Sequence, residues 1–534
     1  MDETSETDQK NYISCLTWVR RGVAASVPDK IELTPQELQN IIQNTQSELN
    51  QIKEEDDSED EEAAGTNESK NTTTDEEMKD GSVKANDEFD FDKYDDEADD
   101  IYANIDGIAV INEGKDPLVT VGDSEDEDSE KEDDIIKAND NLVLVGHIMD
   151  EASILEVYVY NEAEGSFYCH HHDYLSYIPL CFEWLNFDPS EEKPGNLCAI
   201  GNDTPVIEVW DLDVVGGIGP VFKLGKKLNK KKNIKRVGHR DAVLDIAWNT
   251  SHNHVLASGS ADKTVLLWDL ENGTPSTKLS SFEGIIQSIK WHQTEAHMLL
   301  TGSMDKKVRL FDCKTEVAKT WKASGEVEKV VWNQFDSNLF FVSTDNGYIE
   351  CVDIRHDKPL WQKQVQEEEI AGLSMSVSCP GLLVSTNKDG TIKVWDVKNY
   401  LEPQLVLEKQ TNLGHIICLE SSCDSPFIFA AGGDNKANNL NVYDLSTIPE
   451  VSERFQNREL IHPTHVVEFS KTNKLNTVNE EVMEVADDIG SIALESKRPN
   501  HIAKKKKKPR HHCIGRRILY FLSLKSKDAL QHYL

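Results

Sequence analysis

The chain has 534 residues, with 96 Asp and Glu against 56 Lys and Arg, a net charge of −40. At roughly 100–200 residues per domain, this length allows one large domain with appendages or several ordinary domains. No apolar run approaches the ~18–20 residues that span a bilayer, no basic-then-apolar leader follows Met1, and ten cysteines without a CxxC pair indicate reduced thiols inside the cell.

The first predicted element is a strand from Ile13 to Trp18, which alternates and ends on an indole. Thr34-Pro35-Gln36-Glu37 then starts a helix, with Thr34 as N-cap, Pro35 in the first helical position and Glu37 completing a capping box. Leu38, Ile41, Ile42, Leu49 and Ile52 share its apolar face, which either packs on the fold or docks in a partner's groove. Residues 51–135 hold 34 acids and 7 bases, and from 54 onward they are too charged and too poor in apolar side chains to fold alone. Ser58, Ser124 and Ser129 each precede acids and are candidate sites for an acidophilic kinase. Phe89, Phe91 and Tyr94 interrupt the acids and suit the tract to a basic protein surface. Asp90, Asp92 and Asp95 lack the spacing and the glycine of a calcium loop.

Beyond the acidic tract the chain repeats. Val209-Trp210-Asp211, Leu267-Trp268-Asp269, Leu310-Phe311-Asp312, Cys351-Val352-Asp353, Val394-Trp395-Asp396 and Val442-Tyr443-Asp444 recur at spacings of 41 to 58 residues, with Val159-Tyr160-Asn161 as a degenerate first copy. A second series, Trp184, Trp248, Trp291 and Trp332, closes alternating runs upstream. The last three of these tryptophans, and Met375, each precede the repeat's closing Asp by 21 residues. Between the two markers lie apolar runs broken by Asp, Gly and Asn, the pattern of short antiparallel strands. Four strands in about 40–45 residues is the size of a β-propeller blade, and the markers count seven blades. A closed ring suits such sheets, because each buries both faces against its neighbours. Trp18 belongs either to the first strand of blade one, which makes the acidic tract an insertion inside a blade, or to a strand closing blade seven.

These residues resemble WD40 repeats, which carry Gly-His before the first strand and Trp-Asp after the third. Gly238-His239, Asp262 and Trp268 match best, and the resemblance implies a buried structural relay of His239, Ser258, Asp262 and Trp268. Asp305, Asp345 and Asp389 keep parts of it in other blades, and Gly414-His415 is a second Gly-His. Cys15-Leu16-Thr17-Trp18-Val19, Asp92-Lys93-Tyr94-Asp95, Glu183-Trp184-Leu185-Asn186-Phe187-Asp188-Pro189 and Thr204-Pro205-Val206-Ile207-Glu208-Val209-Trp210-Asp211-Leu212 are similar to the periodic tryptophan protein 1 family, over roughly residues 11–460. That likeness implies a nucleolar WD40 protein linked to assembly of the large ribosomal subunit.

Two basic clusters oppose the acidic tract. Lys226, Lys227, Lys230, Lys231, Lys232, Lys235 and Arg236 crowd a loop between blades two and three, with Lys223 at its edge, and Lys504 to Lys508 with Arg510 mark the tail. The loop is the candidate for RNA contact, because a rigid ring holds positive charge within reach of phosphates. Phe222 at its edge is the loop's only aromatic residue, so backbone contact without sequence readout is expected. His170-His171-His172 lacks a spaced Cys or carboxylate partner and reads as a surface loop, not a metal site. No GxxxxGK[ST] or HExxH occurs, and no GxGxxG lies in a strand-to-helix context.

The expected architecture is all-β: a seven-bladed WD40 propeller with a disordered acidic insertion and a flexible basic tail. Its parts are an N-terminal propeller strand (1–20), a linker and helix (21–53), the acidic insertion (54–135), the propeller (136–465) and a lysine-rich tail (466–534). The expected role is a non-catalytic scaffold without cofactor or membrane, monomeric within a larger nucleolar complex of assembly proteins and pre-ribosomal RNA. The alternatives are a chromatin protein that handles histones at ribosomal RNA genes and, on fold analogy alone, a ubiquitin-ligase substrate receptor.

Overall fold

The computed structural model describes residues 10–31 and 134–461, apart from 151, 191–193, 218, 229–233, 316, 400 and 401. The helix, phosphorylation sites and acidic tract expected within residues 34–135, save Asp134 and Ile135, and the basic tail lie outside the described residues. The remainder forms seven antiparallel sheets whose strands follow one another in sequence. Blade one consists of Asn11–Val19, Asn141–Met149, Ala152–Asn161 and Ser166–Leu175; blade two of Pro179–Leu185, Leu197–Asn202, Ile207–Asp211 and Phe222–Leu224. Blades three to six each have four strands, opening with Val243–Trp248, Ile286–Trp291, Val327–Trp332 and Ile370–Met375. Blade seven has three among the described residues: Ile416–Ser421, Ile428–Gly433 and Leu440–Asp444. The first strands touch each other in a closed cycle from blade one to blade seven and back, which makes them the hub of a propeller.

A single device repeats at the hub. Each first strand carries a β-bulge at the same place, three to five residues before its closing Trp, Met or Ser. Facing the bulges across the ladder stand Gly146, Gly201, Gly259, Gly302, Ser343, Thr386 and Gly432. The glycines are there for want of room. A Cβ at Gly259 would lie 2.7 Å from Cγ2 of Ile286, and one at Gly302 would lie 2.5 Å from Cγ1 of Val327. One at Gly432 would lie 2.5 Å from Cγ2 of Ile13, and in these three cases the obstructing residue belongs to the next blade's first strand. In blade six the glycine has crossed the ladder to Gly372, where a Cβ would lie 2.4 Å from Oγ1 of Thr386.

The tryptophan series joins the blades at the opposite end of the same strands. The indole N–H of Trp291 donates to the carbonyl of Ala247 (3.0 Å), and that of Trp332 donates to the carbonyl of Lys290 (3.3 Å). Trp18 does the same to Glu420 (3.4 Å), so each of these three indoles reaches back to the preceding blade. Side chains facing the hub reach forward instead: Glu183 accepts from the Trp248 amide, Asp245 from Ile289, Ser288 from Val330 and Ser374 from Ser421. Trp184 and Trp248, both half-buried, bond within their own blades, to Asn196 and Asn253.

Trp18 lies in the innermost strand of blade one, which pairs with Asn141–Met149 over residues 11–19, and not in a strand closing blade seven. The ring therefore closes through side chains. At the seam, Arg21 and Asn141 both donate to Asp424, and Arg21 also reaches Ser425. Past Trp18 the chain crosses to blade two, where Asp29–Lys30 pairs in parallel with Val214–Val215. Lys30 meets Asp134 at 2.9 Å and the Ile136 amide donates to Ser26, so residues 31 and 134 leave the ring side by side.

Two features depart from the sequence reading. A helix, Pro449–Phe455, follows the last blade, with Pro in its first turn and Val451 and Phe455 buried one turn apart. Its Arg454 and the following Arg458 both hold Asp396 of blade six. His170 to His172 lie inside the outer strand of blade one, not in a loop: His170 sits at a bulge of the ladder, and His171 to Leu175 alternate between buried and exposed.

Gly302→Ala forces the contact with Val327, and the expected cost is about 1–3 kcal/mol. Gly217→Ala is the control, since a Cβ there meets nothing within 4 Å. Urea unfolding of both variants should show a lowered midpoint for the first alone; coincident midpoints would refute the packing argument.

Candidate functional site

The basic loop leaves blade two after Phe222–Leu224. Lys226 and Val237 exchange both backbone hydrogen bonds, at 2.8 and 3.1 Å, and so pinch the two ends of the loop, called the arm below, together at its base. Gly225 and Gly238 flank the pinch with φ of +96° and +95°, a region that favours glycine. A Cβ at Gly238 would also lie 2.6 Å from Cη2 of Trp268, so the arm's base rests on the blade-three indole.

The next residue, His239, ties that base into the ring. Its Nε2 lies 2.7 Å from Oγ of Ser258, which accepts the indole N–H of Trp268 at 2.8 Å. Its Nδ1 faces both carboxylate oxygens of Asp262 at 3.3 Å, and Asp262 also accepts from the Arg240 amide and the Thr264 hydroxyl. Burial works against the Asp262 carboxylate. The His239, Thr264 and Arg240 contacts outweigh it and hold the group at about 2. His239, Ser258 and Trp268 are completely buried. With His239 and Ser258 at 0% exposure, the hydrogen bonds of this His–Ser–Asp set are spent inside the blade.

Blade three alone brings all four relay residues together. In blade six Trp395 donates to Ser385 (2.9 Å), and in blade seven His415 meets Asp434 (2.8 Å), an acid the sequence reading did not pick out. In blade two, Ile200 stands where Ser258 stands, and the buried Trp210 indole N–H has no partner. Asp305 holds Arg309 through two hydrogen bonds, Asp345 accepts the amide of Glu326 from the loop before its blade's first strand, and Asp389 accepts the Thr391 amide in its own turn.

Of the candidate RNA-contacting residues, Lys226, Lys227, Lys235 and Arg236 are exposed, and among the described residues none of the four has an acidic partner. Lys230, Lys231 and Lys232 lie outside the described residues. Lys223 is committed elsewhere, to Glu208 at 2.9 Å. The Nζ of Lys227 sits 4.3 Å above the ring of Tyr177, a cation–π contact with a residue fifty positions away. Among the described residues no group of three or more His, Cys, Asp and Glu could hold a metal ion. His170 and His171 approach each other at 2.8 Å, and burial pushes His171 down to about 4. No described helix is long and apolar enough to cross a membrane.

Ser258→Ala would leave His239 Nε2 and Trp268 Nε1 buried without their shared partner, at an expected cost of about 1–3 kcal/mol. Surface Ser251→Ala should stay within about 0.5 kcal/mol. Because the Asp262 value is held below its ordinary 3.8, its stabilisation is complete above about pH 4 and is lost as pH falls towards 2. The stability gap between wild type and Asp262→Asn should therefore narrow between pH 5 and pH 2.5; a constant gap would contradict the assignment.

The WD domain, G-beta repeat family matches residues 231–269, 273–312 and 366–396. The chain is 42% identical over 430 residues to the periodic tryptophan protein 1 homolog of Drosophila melanogaster, covering 79% of this chain and 92% of that protein. It is 30% identical to periodic tryptophan protein 1 of Saccharomyces cerevisiae, covering 83% and 90%. An uncharacterized WD repeat-containing protein of Schizosaccharomyces pombe is 33% identical, covering 84% and 92%. With its indoles bridging blade to blade and this extent of shared sequence, the chain belongs to the periodic tryptophan protein 1 family of WD40 proteins.

Proposed function

We propose that this protein is a non-catalytic scaffold for assembly of the large ribosomal subunit, working in the nucleus and nucleolus and binding assembly proteins and pre-ribosomal RNA. The observation that carries the RNA part is the arm between blades two and three. The Lys226–Val237 pair and the His239 relay hold its base to the ring, leaving Lys226, Lys227, Lys235 and Arg236 exposed, without acidic partners among the described residues. Cations on a rigid base meet phosphates without paying the ordering entropy of a free chain. The ribosomal part is supported by family membership. The scaffold part is supported by the burial of the His239–Ser258 pair, which cannot meet a substrate. In this reading the acidic tract, phosphorylated at Ser58, Ser124 and Ser129, engages basic assembly proteins.

Charge reversal at Lys226, Lys227, Lys235 and Arg236 should sharply reduce ultraviolet crosslinking to RNA. It should also flatten the dependence of log affinity on log salt, by about 0.7 for each phosphate that the arm no longer neutralises. Unchanged crosslinking would remove the arm from the RNA interface. Co-sedimentation with large pre-ribosomal particles should disappear on RNase treatment; retention on chromatin after RNase would favour a role at ribosomal RNA genes instead.

A further inference from the structure

We propose that the outer corner shared by blades one and two binds single-stranded RNA, with a base stacked on Tyr174 and the backbone held by Lys226, Lys227, Lys235 and Arg236. This rests on the RNA reading above and adds the strandedness of the ligand and the residue that selects it. The arm's own sequence offers no aromatic beyond Phe222, but the fold supplies one from the neighbouring blade.

Tyr174 lies near the end of the outer strand Ser166–Leu175 and is 68% exposed, the most exposed of the large apolar side chains among the described residues. Strand alternation dictates that exposure: His171, Asp173 and Leu175 turn inward and are buried, so His172 and Tyr174 turn out. The His172 ring meets Tyr174 edge-on, with centroids 5.6 Å apart and planes at 84°. A T-shaped contact of this kind occupies at most one face of the phenol and leaves the other free for a base. Three residues on, in the bend that follows the strand's last residue, Leu175, Tyr177 carries the ammonium of Lys227 at 4.3 Å. Through Tyr177 the arm's base is thus held three residues along the chain from the exposed ring of Tyr174. This pairing of exposed cations with an open aromatic face is the arrangement that grips single strands, since every unpaired base has a face to stack. In a duplex those faces are hidden, and side chains reach only backbone and groove edges.

The test compares the full-length protein with Tyr174→Ala and Tyr174→Phe, against a 20-nucleotide oligouridylate and an RNA duplex of equal length. Tyr174 is exposed, so the unfolding midpoint of each variant should match wild type. Tyr174→Ala should weaken binding to the single strand by about 5- to 100-fold, leave duplex binding unchanged, and be rescued by Tyr174→Phe. If wild type binds RNA but Tyr174→Ala binds the single strand as well as wild type, or loses both ligands equally, the stacking inference is overturned and the RNA reading stands. If wild type binds neither RNA, or takes an acidic peptide in their place, the RNA reading itself fails.

Discussion

Everything in this ring depends on how closely one blade's second strand lets the next blade's first strand approach. Seven flat sheets meeting at a hub leave gaps unless backbone can lie against side chain. The bulge in each first strand and, opposite it in five of the seven blades, a glycine provide that approach, with Ile286 against Gly259, Val327 against Gly302 and Ile13 against Gly432. The indoles of Trp18, Trp291 and Trp332 then tie the other ends of the same strands to the preceding blade. Their donors are satisfied across a blade boundary, so losing that boundary would leave both an indole and a carbonyl without partners in protein. Closure needs no exchange of strands between the first and last blades. The seam between Asn11–Val19 and blade seven is held by the same indole bond and by Arg21 and Asn141 on Asp424.

Blade one shows what that scheme permits. Its first strand is separated in sequence from its second by residues 20–140, yet the two pair from end to end. The flanks of the intervening tract come together where Lys30 meets Asp134. A long acidic segment can thus be carried without opening the sheet, because the cost of closing a flexible loop grows only slowly with its length.

Much of this was legible in the sequence. The constant offset of 21 residues between Trp and Asp reports two strands and two turns of fixed length, and it located the hub strands from Trp248 to Met375. What the Trp does with its N–H was not legible, because the acceptor is a carbonyl of another blade and has no side-chain signature. The glycines left a trace that could have been read: Gly259 and Gly302 each precede their turn aspartate, Asp262 and Asp305, by three residues. The helix Pro449–Phe455 was missed because its period-four apolar pair, Val451 and Phe455, is a short signal after a run of strands. Tyr177 and Tyr174 could not be assigned to the arm from sequence alone. They come from the end of blade one, and only the ring order sets Tyr177 against a loop that leaves blade two.

The relay, the arm and the outer corner form one chain of causes: Trp268 supports Gly238, His239 anchors the arm, and the arm meets Tyr177. That sequence holds only if neighbouring blades are locked as described. The most direct measurement is hydrogen exchange at the indole N–H groups, followed by NMR on protein labelled with 15N at its ten tryptophans. The account predicts strongly slowed exchange for Trp18, Trp291 and Trp332, whose donors bridge blades. Exchange of these three at the rate of free indole would mean that the blades are not joined there, and the ring as described would not stand.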